Sequence, residues 1–401
     1  MQVILASLGG GLPESLTEEC AAALRQAGCI LGAKRLLEHL PQGCTENRIA
    51  AIRPEELLEA IMGRQTDCAV VYSGDTGFYS GAKGLLPLLR ERGIPARVLP
   101  GISSVQLLSA RLERPWQDWV LASAHGTDCD VVRAVMQGKP VFFLTGGLLG
   151  PTEICGRLME SGLGGLPVTV GENRSYPDES ITSGTAEQLA GRSFSSLSVL
   201  LAEAAPRMAR RGPGFPDSAF LRGDVPMTKQ EVRAAALAKL AVRPGDIFWD
   251  VGAGTGSVSV ELALASEGGA VFAVECNDAA CGLIRANREK FCAWNLRVIK
   301  GRAPQALETR PPPDGVFVGG TKGGMAELVD LALRRNENAR ICISAIAVET
   351  LSAAVAALKS HGIQPQVTQI AVRRGKPAGG LHLLTANNPV FLITGELRWL
   401  R

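Results

Sequence analysis

Short apolar runs alternate with segments of helical spacing throughout the first half of the chain. Each run is five or six residues long, which is typical of buried strands, and the segments between them repeat their apolar residues every three or four positions. An alternation of this kind predicts an α/β fold. The predicted strands are QVILAS (2–7), CAVVYS (68–73), ARVLP (96–100), VFFLT (141–145) and SVLLAE (198–203), and the predicted helices cover 16–27, 82–92 and 154–161.

The second half has the same alternation but begins with a helix. The spacing predicts this helix over 228–240, with Thr228 as its N-cap and Glu231 completing a capping box. Seven strand-like runs follow, mostly separated by helical segments. They are DIFWDVGAG (246–254), AVFAVE (270–275), LRVIKG (296–301), GVFVGG (315–320), ARICISAI (339–346), PQVTQIAV (365–372) and PVFLITG (389–395).

The segment 206–217 lies between the two patterns and has neither a helical nor a strand period. It combines three arginines with a Gly-Pro-Gly sequence and two further prolines, which is typical of a linker. We therefore predict a first domain over 1–205, a linker over 206–217 and a second domain over 218–401. Each domain is long enough to form its own core.

Composition excludes several classes of protein. The chain has 401 residues, of which 46% are apolar and 20% charged, so extended disorder is excluded. No apolar run reaches the length of a membrane helix, and the N-terminus is interpreted as a first strand rather than a signal peptide. The ten cysteines form no CxxC pair, so we expect no metal site, reduced thiols and a cytoplasmic location.

Charge distinguishes the two halves. Residues 1–205 carry 17 basic and 22 acidic side chains, whereas residues 206–401 carry 25 and 17. The second half therefore favours an anionic partner, either a nucleic acid or a small molecule with several carboxylates.

A glycine loop in the second half gives the strongest chemical signal. Gly252, Gly254 and Gly256 follow an apolar strand and precede a helix, so the backbone can turn sharply and approach a ligand. Glu275 ends the next strand, where a carboxylate can accept hydrogen bonds from ribose hydroxyls. The G-x-G-x-G spacing differs from the nicotinamide fingerprint, and Asp250 before the loop favours a cationic ligand over a pyrophosphate. We expect S-adenosylmethionine (SAM), with a nicotinamide cofactor or a ligand-free turn as alternatives.

Further motifs narrow the interpretation of residues 216–401. They are FLRGDVPMTKQEVR (220–233), GRAPQAL (301–307), Gly319-Gly320 and NPVF (388–391). With the glycine loop, these motifs resemble the C15-methylating, decarboxylating enzymes of cobalamin biosynthesis, which implies a Rossmann-like seven-stranded class I methyltransferase fold. One departure is Arg302, where the family usually has an acidic residue, so we expect backbone contacts to bind the adenine amino group. The SAM contacts that the resemblance implies are Thr228, Gly252, Ala253, Gly254, Thr255, Gly256, Glu275 and Ala303.

Four motifs of the first half carry a second resemblance. SLGGGLPESLT (7–17), SGDTGFYS (73–80), PGISSVQ (100–106) and GENRSYPDE (171–179) resemble the tetrapyrrole (class III) methylases, closest to the C5-methylating precorrin enzymes. The resemblance implies a fold of two α/β subdomains with SAM in the trough between them. Gly10 stands where the family usually has proline, which predicts a more flexible loop. The implied cofactor contacts are Gly10, Ser73, Gly74, Asp75, Ser103, Ser104 and Thr145.

The two halves in this order resemble the fused C5,15-methylating, decarboxylating family of corrin biosynthesis. The resemblance implies two SAM sites, a tetrapyrrole substrate and self-association into a homo-oligomer. Methyl transfer to an enamine-like carbon depends mainly on positioning, so no strong base is expected. His125, Lys322 and His382 are the candidates for catalytic side chains. The candidates for binding the substrate carboxylates are Arg222, Lys229, Arg233, Arg373, Arg374 and Lys376.

Two other interpretations use the same residues. A nucleic-acid methyltransferase would also need the glycine loop and a basic surface, but Val318-Gly-Gly-Thr321 stands where amino-methylating enzymes have an Asn/Asp-Pro-Pro-aromatic tetrad. There is also no basic stripe rich in aromatic residues for bases to stack on, so we expect neither a nucleic-acid nor a membrane partner. Alternatively, one half could hold the tetrapyrrole without turning it over.

Overall fold

The computed structural model describes residues 1–125, 128–209, 212–321 and 323–395. The chain divides into two compact units. The first comprises Met1–Met159 and Gly164–Ala204, and the second comprises Glu160–Leu163 and the residues from Ala205 onward. The division falls at the start of the predicted linker.

The first unit begins with a parallel sheet. Within the described residues it has five strands, ordered β3-β2-β4-β1-β5, so the first strand lies inside the sheet. Its buried residues, such as Leu5 and Val70, pack against helices in apolar clusters on the two faces. The strands are β1 (Val3–Ser7), β2 (Cys29–Gly32), β3 (Arg48–Ala50), β4 (Cys68–Tyr72) and β5 (Ala96–Leu99), with helices α1 (Glu18–Gln26), α2 (Lys34–Leu37), α3 (Pro54–Met62), α4 (Ala82–Glu91) and α5 (Ser104–Leu112).

A second, mostly antiparallel sheet completes the first unit. In the described part of the chain it has five strands in the order β6-β7-β10-β8-β9, with a parallel β6–β7 pair at one edge. This two-sheet architecture confirms the predicted α/β fold. The elements are β6 (Val120–Ser123), α6 (Val131–Val135), β7 (Val141–Leu144), α7 (Pro151–Glu160), β8 (Pro167–Glu172), β9 (Ser180–Thr185), α8 (Ala186–Leu189) and β10 (Ser198–Ala202).

The second unit has a sheet of seven strands among residues 212–321 and 323–395, ordered β13-β12-β11-β14-β15-β19-β16. Its first five strands in this order are parallel and the last two are antiparallel to their neighbours. The strands are β11 (Ile247–Val251), β12 (Ala270–Glu275), β13 (Leu296–Lys300), β14 (Gly315–Val318), β15 (Arg340–Ala345), β16 (Pro365–Ile370) and β19 (Val390–Gly395), with a hairpin of β17 (Arg373–Ala378) and β18 (Leu381–Ala386). The helices are α9 (Gln230–Leu240), α10 (Ser257–Ala265), α11 (Asp278–Lys290), α12 (Met325–Arg335) and α13 (Val348–Ser360).

The predicted linker is wrong over its last residues. Phe215 is 4% exposed and packs against Phe220 and Phe291 in the core of the second unit. The backbone N–H groups of Gly214 and Phe215 donate to the Glu261 carboxylate, at 2.7 and 3.0 Å. This end of the segment is therefore part of the second domain, because its polar backbone has buried partners there.

The predicted capping box is wrong as well. Helix α9 begins at Gln230, and its N-cap residue Lys229 makes no side-chain capping bond. Asp217 supplies the cap instead, since its Oδ1 accepts from the Gln230 N–H at 2.9 Å. Glu231 pairs with Arg374 at 2.7 Å. A carboxylate distant in sequence thus satisfies one of the free N–H groups of the first turn.

Candidate active sites

Loops at the carboxyl ends of the first parallel sheet border a cavity of about 350 Å³ in the first domain. Loops of the second sheet line its other side. Ligands of open α/β sheets commonly bind at this edge, where the carboxyl ends of parallel strands meet. The structure brings six predicted residues together here, namely Gly10, Ser73, Gly74, Ser104, His125 and Thr145.

Two other residues that were predicted to contact the cofactor, Asp75 and Ser103, form hydrogen bonds within the protein. Asp75 Oδ1 accepts from the Gly101 N–H at 3.0 Å, and its Oδ2 accepts from the Gly77 N–H at 2.9 Å. Ser103 is 4% exposed and caps α5 in a capping box with Gln106. Asp75 therefore joins the loop after β4 to the loop after β5, which is a positioning role.

His125 and Thr145 meet beside the cavity. The Thr145 hydroxyl donates to the Ser198 carbonyl at 2.5 Å, and His125 Nδ1 lies 3.3 Å from the Thr145 carbonyl oxygen. A Cβ on Gly146 would lie 2.1 Å from His125 Nδ1, so the ring packs directly on this glycine. These contacts orient the imidazole, and its catalytic role stays a prediction.

Packing against Ser175 requires glycine at position 10. A Cβ at this position would lie 2.2 Å from Ser175 Oγ, so the Ser175 side chain occupies the space that another residue would need. The loop is also held by the Gly11 N–H on the Leu8 carbonyl at 3.0 Å and by the Gly74 N–H on the Gly9 carbonyl at 2.8 Å. The loop is thus held by two backbone hydrogen bonds and by packing on Ser175, and the greater flexibility expected from the missing proline stays a prediction.

We expect Gly10→Ala to impair the first site, because the added methyl group must displace Ser175. Ser175 has φ = +74°, which glycine adopts without strain. Ser175→Gly should therefore be tolerated alone and should restore ligand binding to Gly10→Ala. Calorimetric titration of SAM into both single variants and the double variant tests this. Equal losses in Gly10→Ala with and without Ser175→Gly would contradict the packing argument.

The glycine loop of the second domain lies between β11 and α10. Gly252, Gly254 and Gly256 all have positive φ, at +71°, +57° and +76°. A Cβ at Gly252 would lie 2.4 Å from the Gly320 carbonyl oxygen, and one at Gly254 would lie 2.8 Å from the Pro226 carbonyl oxygen. Both positions therefore require glycine for conformation and for space, and the backbone there is open to a ligand.

Glu275 is held against this loop. Its Oε2 accepts from the Gly254 N–H at 3.0 Å, and its Oε1 accepts from the Cys276 and Asn277 N–H groups at 2.8 and 3.0 Å. An ionised carboxylate offers about four lone-pair positions, so three are used and one is open. The half-buried carboxylate can thus accept a hydroxyl hydrogen bond without losing its own support.

Asp250 ends β11 and is 1% exposed. The Ser259 hydroxyl donates to its Oδ2, whereas its Oδ1 is buried without a hydrogen-bond partner among the described residues. Burial raises the pKa of Asp250 to about 7, and the negative charge of Glu275 adds to this effect although the Ser259 hydrogen bond opposes it. The carboxyl is therefore poised to ionise when a positive charge approaches.

This geometry predicts a pH dependence for SAM binding to the second domain. A sulfonium near Asp250 lowers its pKa, so binding below about pH 7 releases a proton. Affinity should therefore rise with pH, by at most about tenfold per unit, and become constant above the ligand-free pKa. Calorimetry in two buffers of different ionisation enthalpy measures the released proton. Asp250→Asn should abolish this component, and its persistence in that variant would contradict the assignment.

The remaining predicted cofactor residues lie in the same domain. Thr228 is half-buried, two residues after the Pro226 carbonyl that approaches Gly254. Thr255 is buried next to the glycines, and its hydroxyl has no hydrogen-bond partner among the described residues. Ala253 and Ala303 pack at the edges of the two apolar clusters, and Arg302 is exposed. Their contacts with SAM stay predictions.

Comparisons with known proteins agree with this division. Residues 2–190 match the tetrapyrrole (corrin/porphyrin) methylases, and residues 219–395 match the precorrin methyltransferase domain. A precorrin-6Y C(5,15)-methyltransferase [decarboxylating] of a Sinorhizobium species is 30% identical over 91% of this chain and 89% of its own. This chain belongs to that family.

Two further relatives each match slightly less than half of this precorrin-6Y C5,15-methyltransferase family member. A probable cobalt-precorrin-6B C(15)-methyltransferase (decarboxylating) of Pyrobaculum calidifontis is 44% identical over 45% of this chain and 95% of its own. The crystal structure of a precorrin-6Y C5,15-methyltransferase from Geobacter metallireducens is 36% identical, covers 46% of this chain and 96% of its own, and has a TM-score of 0.44.

The structure contradicts the prediction that Arg233 binds the substrate. Arg233 is fully buried and forms ion pairs with Glu261 at 2.9 Å and Asp217 at 3.0 Å. Its guanidinium also donates to backbone carbonyls and stacks 4.6 Å from the Phe220 ring centre. It cannot reach a substrate carboxylate, because its donors are occupied inside the core.

The other basic residues that were predicted to bind substrate carboxylates differ in exposure and in ion pairing. Arg374 is paired with Glu231 and Asp217, so part of its charge is compensated. Arg222, Arg373 and Lys376 are exposed, and Lys229 is half-buried. Lys322 lies outside the described residues. Their substrate contacts stay predictions.

His382 lies on β18, opposite Pro377 of β17, and is exposed. Solvent therefore reaches the imidazole, and its role as a proton donor stays a prediction. Within the described ranges there is no group of three or more His, Cys, Asp or Glu side chains placed to hold a metal ion. No helix of these ranges is both long and apolar enough to cross a membrane.

Two polar residues that line the first cavity were missed by the sequence analysis. Arg174 is 7% exposed, and Tyr72 at the end of β4 has a buried hydroxyl. Arg174 stands within the GENRSYPDE motif of the negatively charged half. Its position inside a motif loop is the sequence signal that points to it.

Proposed function

We propose that this protein is a SAM-dependent, decarboxylating C-methyltransferase that converts precorrin-6Y, or its cobalt form, to precorrin-8X. The first domain methylates C5. The second domain methylates C15 and removes carbon dioxide from the ring C acetate side chain. Each domain holds its own SAM.

The observation that carries this proposal is the match over nearly the whole chain to a family whose members are named for both methylations. Separate matches of the two halves to tetrapyrrole methylases and precorrin methyltransferases support it. The two glycine-rich sites support one SAM per domain, since each is built from loops at the carboxyl ends of parallel strands.

The residues of the second site fit SAM. Gly252 and Gly254 leave the backbone of the loop accessible, Glu275 has one lone-pair position open to a ribose hydroxyl, and Asp250 can balance a sulfonium charge. In the first site Gly10, Ser73, Gly74 and Ser104 line a cavity in which backbone groups would hold the cofactor. When bound, SAM supplies an electrophilic methyl group.

The protein's contribution to methyl transfer is positioning. The loops must bring the nucleophilic carbon in line with the methyl group, and such alignment can supply ~7–11 kcal/mol of the barrier. Asp75 serves this purpose in the first site because it fixes two loops at once. For decarboxylation, the macrocycle accepts the electron pair left by carbon dioxide, so the second domain must orient the acetate carboxylate and exclude competing geometries.

Homo-oligomer formation stays a prediction. The hairpin of β17 and β18 favours it, because Leu381, Leu383 and Leu384 are 71%, 60% and 72% exposed. Exposed apolar groups of this kind commonly mark surfaces of association.

Incubation of the purified full-length chain with precorrin-6Y and SAM carrying a deuterated methyl group tests the proposal. Mass spectrometry should detect two labelled methyl groups gained and one carbon dioxide lost, and NMR should place the methyl groups at C5 and C15. A product with one methyl group would leave one domain as a binding module, and a product unchanged in mass would refute the proposed function.

A further inference from the structure

The cavity of the first domain is positively charged although its domain is acidic. Residues 1–205 carry 17 basic and 22 acidic side chains. The charged side chains among the described residues that line the cavity are Arg35 and Arg174, and both are basic. A local positive charge in a net negative domain favours a specific anionic group inside the cavity.

Arg174 has two nitrogens without a hydrogen bond. Its Nη2 donates to the Leu107 carbonyl at 3.2 Å, whereas its Nη1 pairs with Glu179 Oε1 by charge alone, at 3.1 Å. Nε and Nη1 are both buried without a hydrogen-bond partner in the described part of the chain. A buried donor without an acceptor costs free energy, so a ligand that supplies the acceptor gains affinity.

The charge of Arg174 is only partly compensated. Glu179 is shared, because Arg111 Nε also donates to Glu179 Oε1 at 2.6 Å. Two guanidinium groups and one carboxylate leave one positive charge over. Burial lowers the pKa of Arg174, which is the expected response of a cation with too little compensation.

The two chain neighbours of Arg174 have left-handed backbone conformations. Asn173 and Ser175 on either side have φ = +47° and +74°, a region that residues other than glycine rarely adopt. The Asn173 N–H donates to the Leu197 carbonyl and the Ser175 N–H donates to Glu179 Oε2, both at 2.8 Å. Strain of this kind is concentrated at functional sites.

The Arg174 side chain packs against a glycine of the neighbouring strand. A Cβ on Gly171 would lie 3.0 Å from Arg174 Cδ, so glycine at this position lets the arginine lie against β8. On the opposite sheet the hydroxyl of Tyr72 is likewise buried, unpartnered among described residues, and placed at the cavity wall. Residues with unsatisfied buried donors thus line one cavity from both sheets.

We propose that Arg174 binds a carboxylate of a ligand in the first cavity, with Tyr72 as a second donor. The inference rests on the proposed function, which offers two sources of this carboxylate. One is the amino-acid end of SAM, and the other is an acetate or propionate arm of the tetrapyrrole. Arginine suits either source because its planar fork donates two parallel hydrogen bonds.

The test compares the full-length wild type with Arg174→Gln, Arg174→Lys and the control Arg111→Gln. Arg111 shares Glu179 but is not among the cavity-lining residues. The C5 step is followed by label at C5, with KM for SAM and for precorrin-6Y measured separately. Inhibition constants are measured for S-adenosylhomocysteine, which keeps the carboxylate, and methylthioadenosine, which lacks it.

Arg174→Gln should raise one KM by at least about tenfold. Arg174→Lys should raise it less, and so should Arg111→Gln, which keeps the Arg174 donors but leaves Glu179 to compensate the Arg174 charge alone. If the carboxylate belongs to SAM, inhibition by S-adenosylhomocysteine weakens and inhibition by methylthioadenosine does not. If it belongs to the tetrapyrrole, both inhibition constants stay constant and the KM for precorrin-6Y rises.

Unchanged KM values in Arg174→Gln would overturn the inference, as would equal effects in Arg111→Gln. A change in kcat and melting temperature alone would show a purely structural role and would also overturn it. If Arg174→Gln does not fold, Gly171→Ala provides the comparison, because it keeps the charge but displaces the side chain, and a rise in the same KM is expected. Absence of C5 methylation in the wild type would instead refute the function proposed for the first domain.

Discussion

Replacing Gly254 by arginine is expected to abolish C15 methylation and carbon dioxide release, by at least about 100-fold, with C5 methylation retained. The Cβ alone would lie 2.8 Å from the Pro226 carbonyl oxygen, and φ at this residue is +57°. The new side chain must therefore displace either the loop or the segment that leads to Thr228. Product analysis by mass spectrometry and trapping of released carbon dioxide measure both outcomes.

Gly282→Arg is the matched control for this variant. Gly282 is exposed on α11, has no atom within 4 Å of a built Cβ, and lies in the same domain. It should keep both activities. Asp75→Ala is the corresponding variant of the first domain. It removes the acceptor of the Gly77 and Gly101 N–H groups, so C5 methylation alone should be lost. Carbon dioxide release by Gly254→Arg at the wild-type rate would contradict the placement of the second site.

Local sequence signals predicted the parts of this structure that depend on local chemistry. Strands β1, β4, β11 and β12 lie within the predicted apolar runs, because continuous apolar residues are needed in a sheet covered on both faces. The glycine loop after β11 was predicted from its spacing, since positive φ at three alternate residues can be read from glycine alone.

Elements without such a signal were missed. Strand β3 is a three-residue edge strand, and β9 reads Ser-Ile-Thr-Ser-Gly-Thr without a clear apolar face. Contacts between distant residues were missed for a different reason. The end of the predicted linker is buried because Glu261, 46 residues from Phe215, accepts its N–H groups, and no local pattern encodes that pairing.

Three arginines show most clearly that a local sequence pattern does not reveal the contacts of a side chain. The sequence predicted Arg233 and Arg374 as carboxylate ligands and missed Arg174, although nothing local distinguishes the three side chains. The fold separates them, since Arg174 lines a cavity, Arg233 is sealed in a core and Arg374 is paired on the surface. Burial and partner identity, which decide the role of a charged side chain, are properties of tertiary packing.

Removal of the Arg233 charge is expected to destabilise the second domain by ~3–5 kcal/mol, because it leaves Glu261 and Asp217 without their buried partner. Arg233→Met keeps much of the side-chain volume over the Phe220 ring and deletes the ion pairs. Hydrogen exchange followed by mass spectrometry should show lost protection in α9 and α10, with the sheets of the first domain unchanged.

Arg373→Met is the control, because Arg373 is exposed on the hairpin and its loss should leave exchange unchanged. The pair of variants also separates the two roles considered for Arg233. A core ion pair predicts lower stability and a normal KM for precorrin-6Y in the fraction that remains folded. A substrate contact predicts the reverse, a raised KM with normal exchange, and that outcome would restore the hypothesis that the buried geometry contradicts.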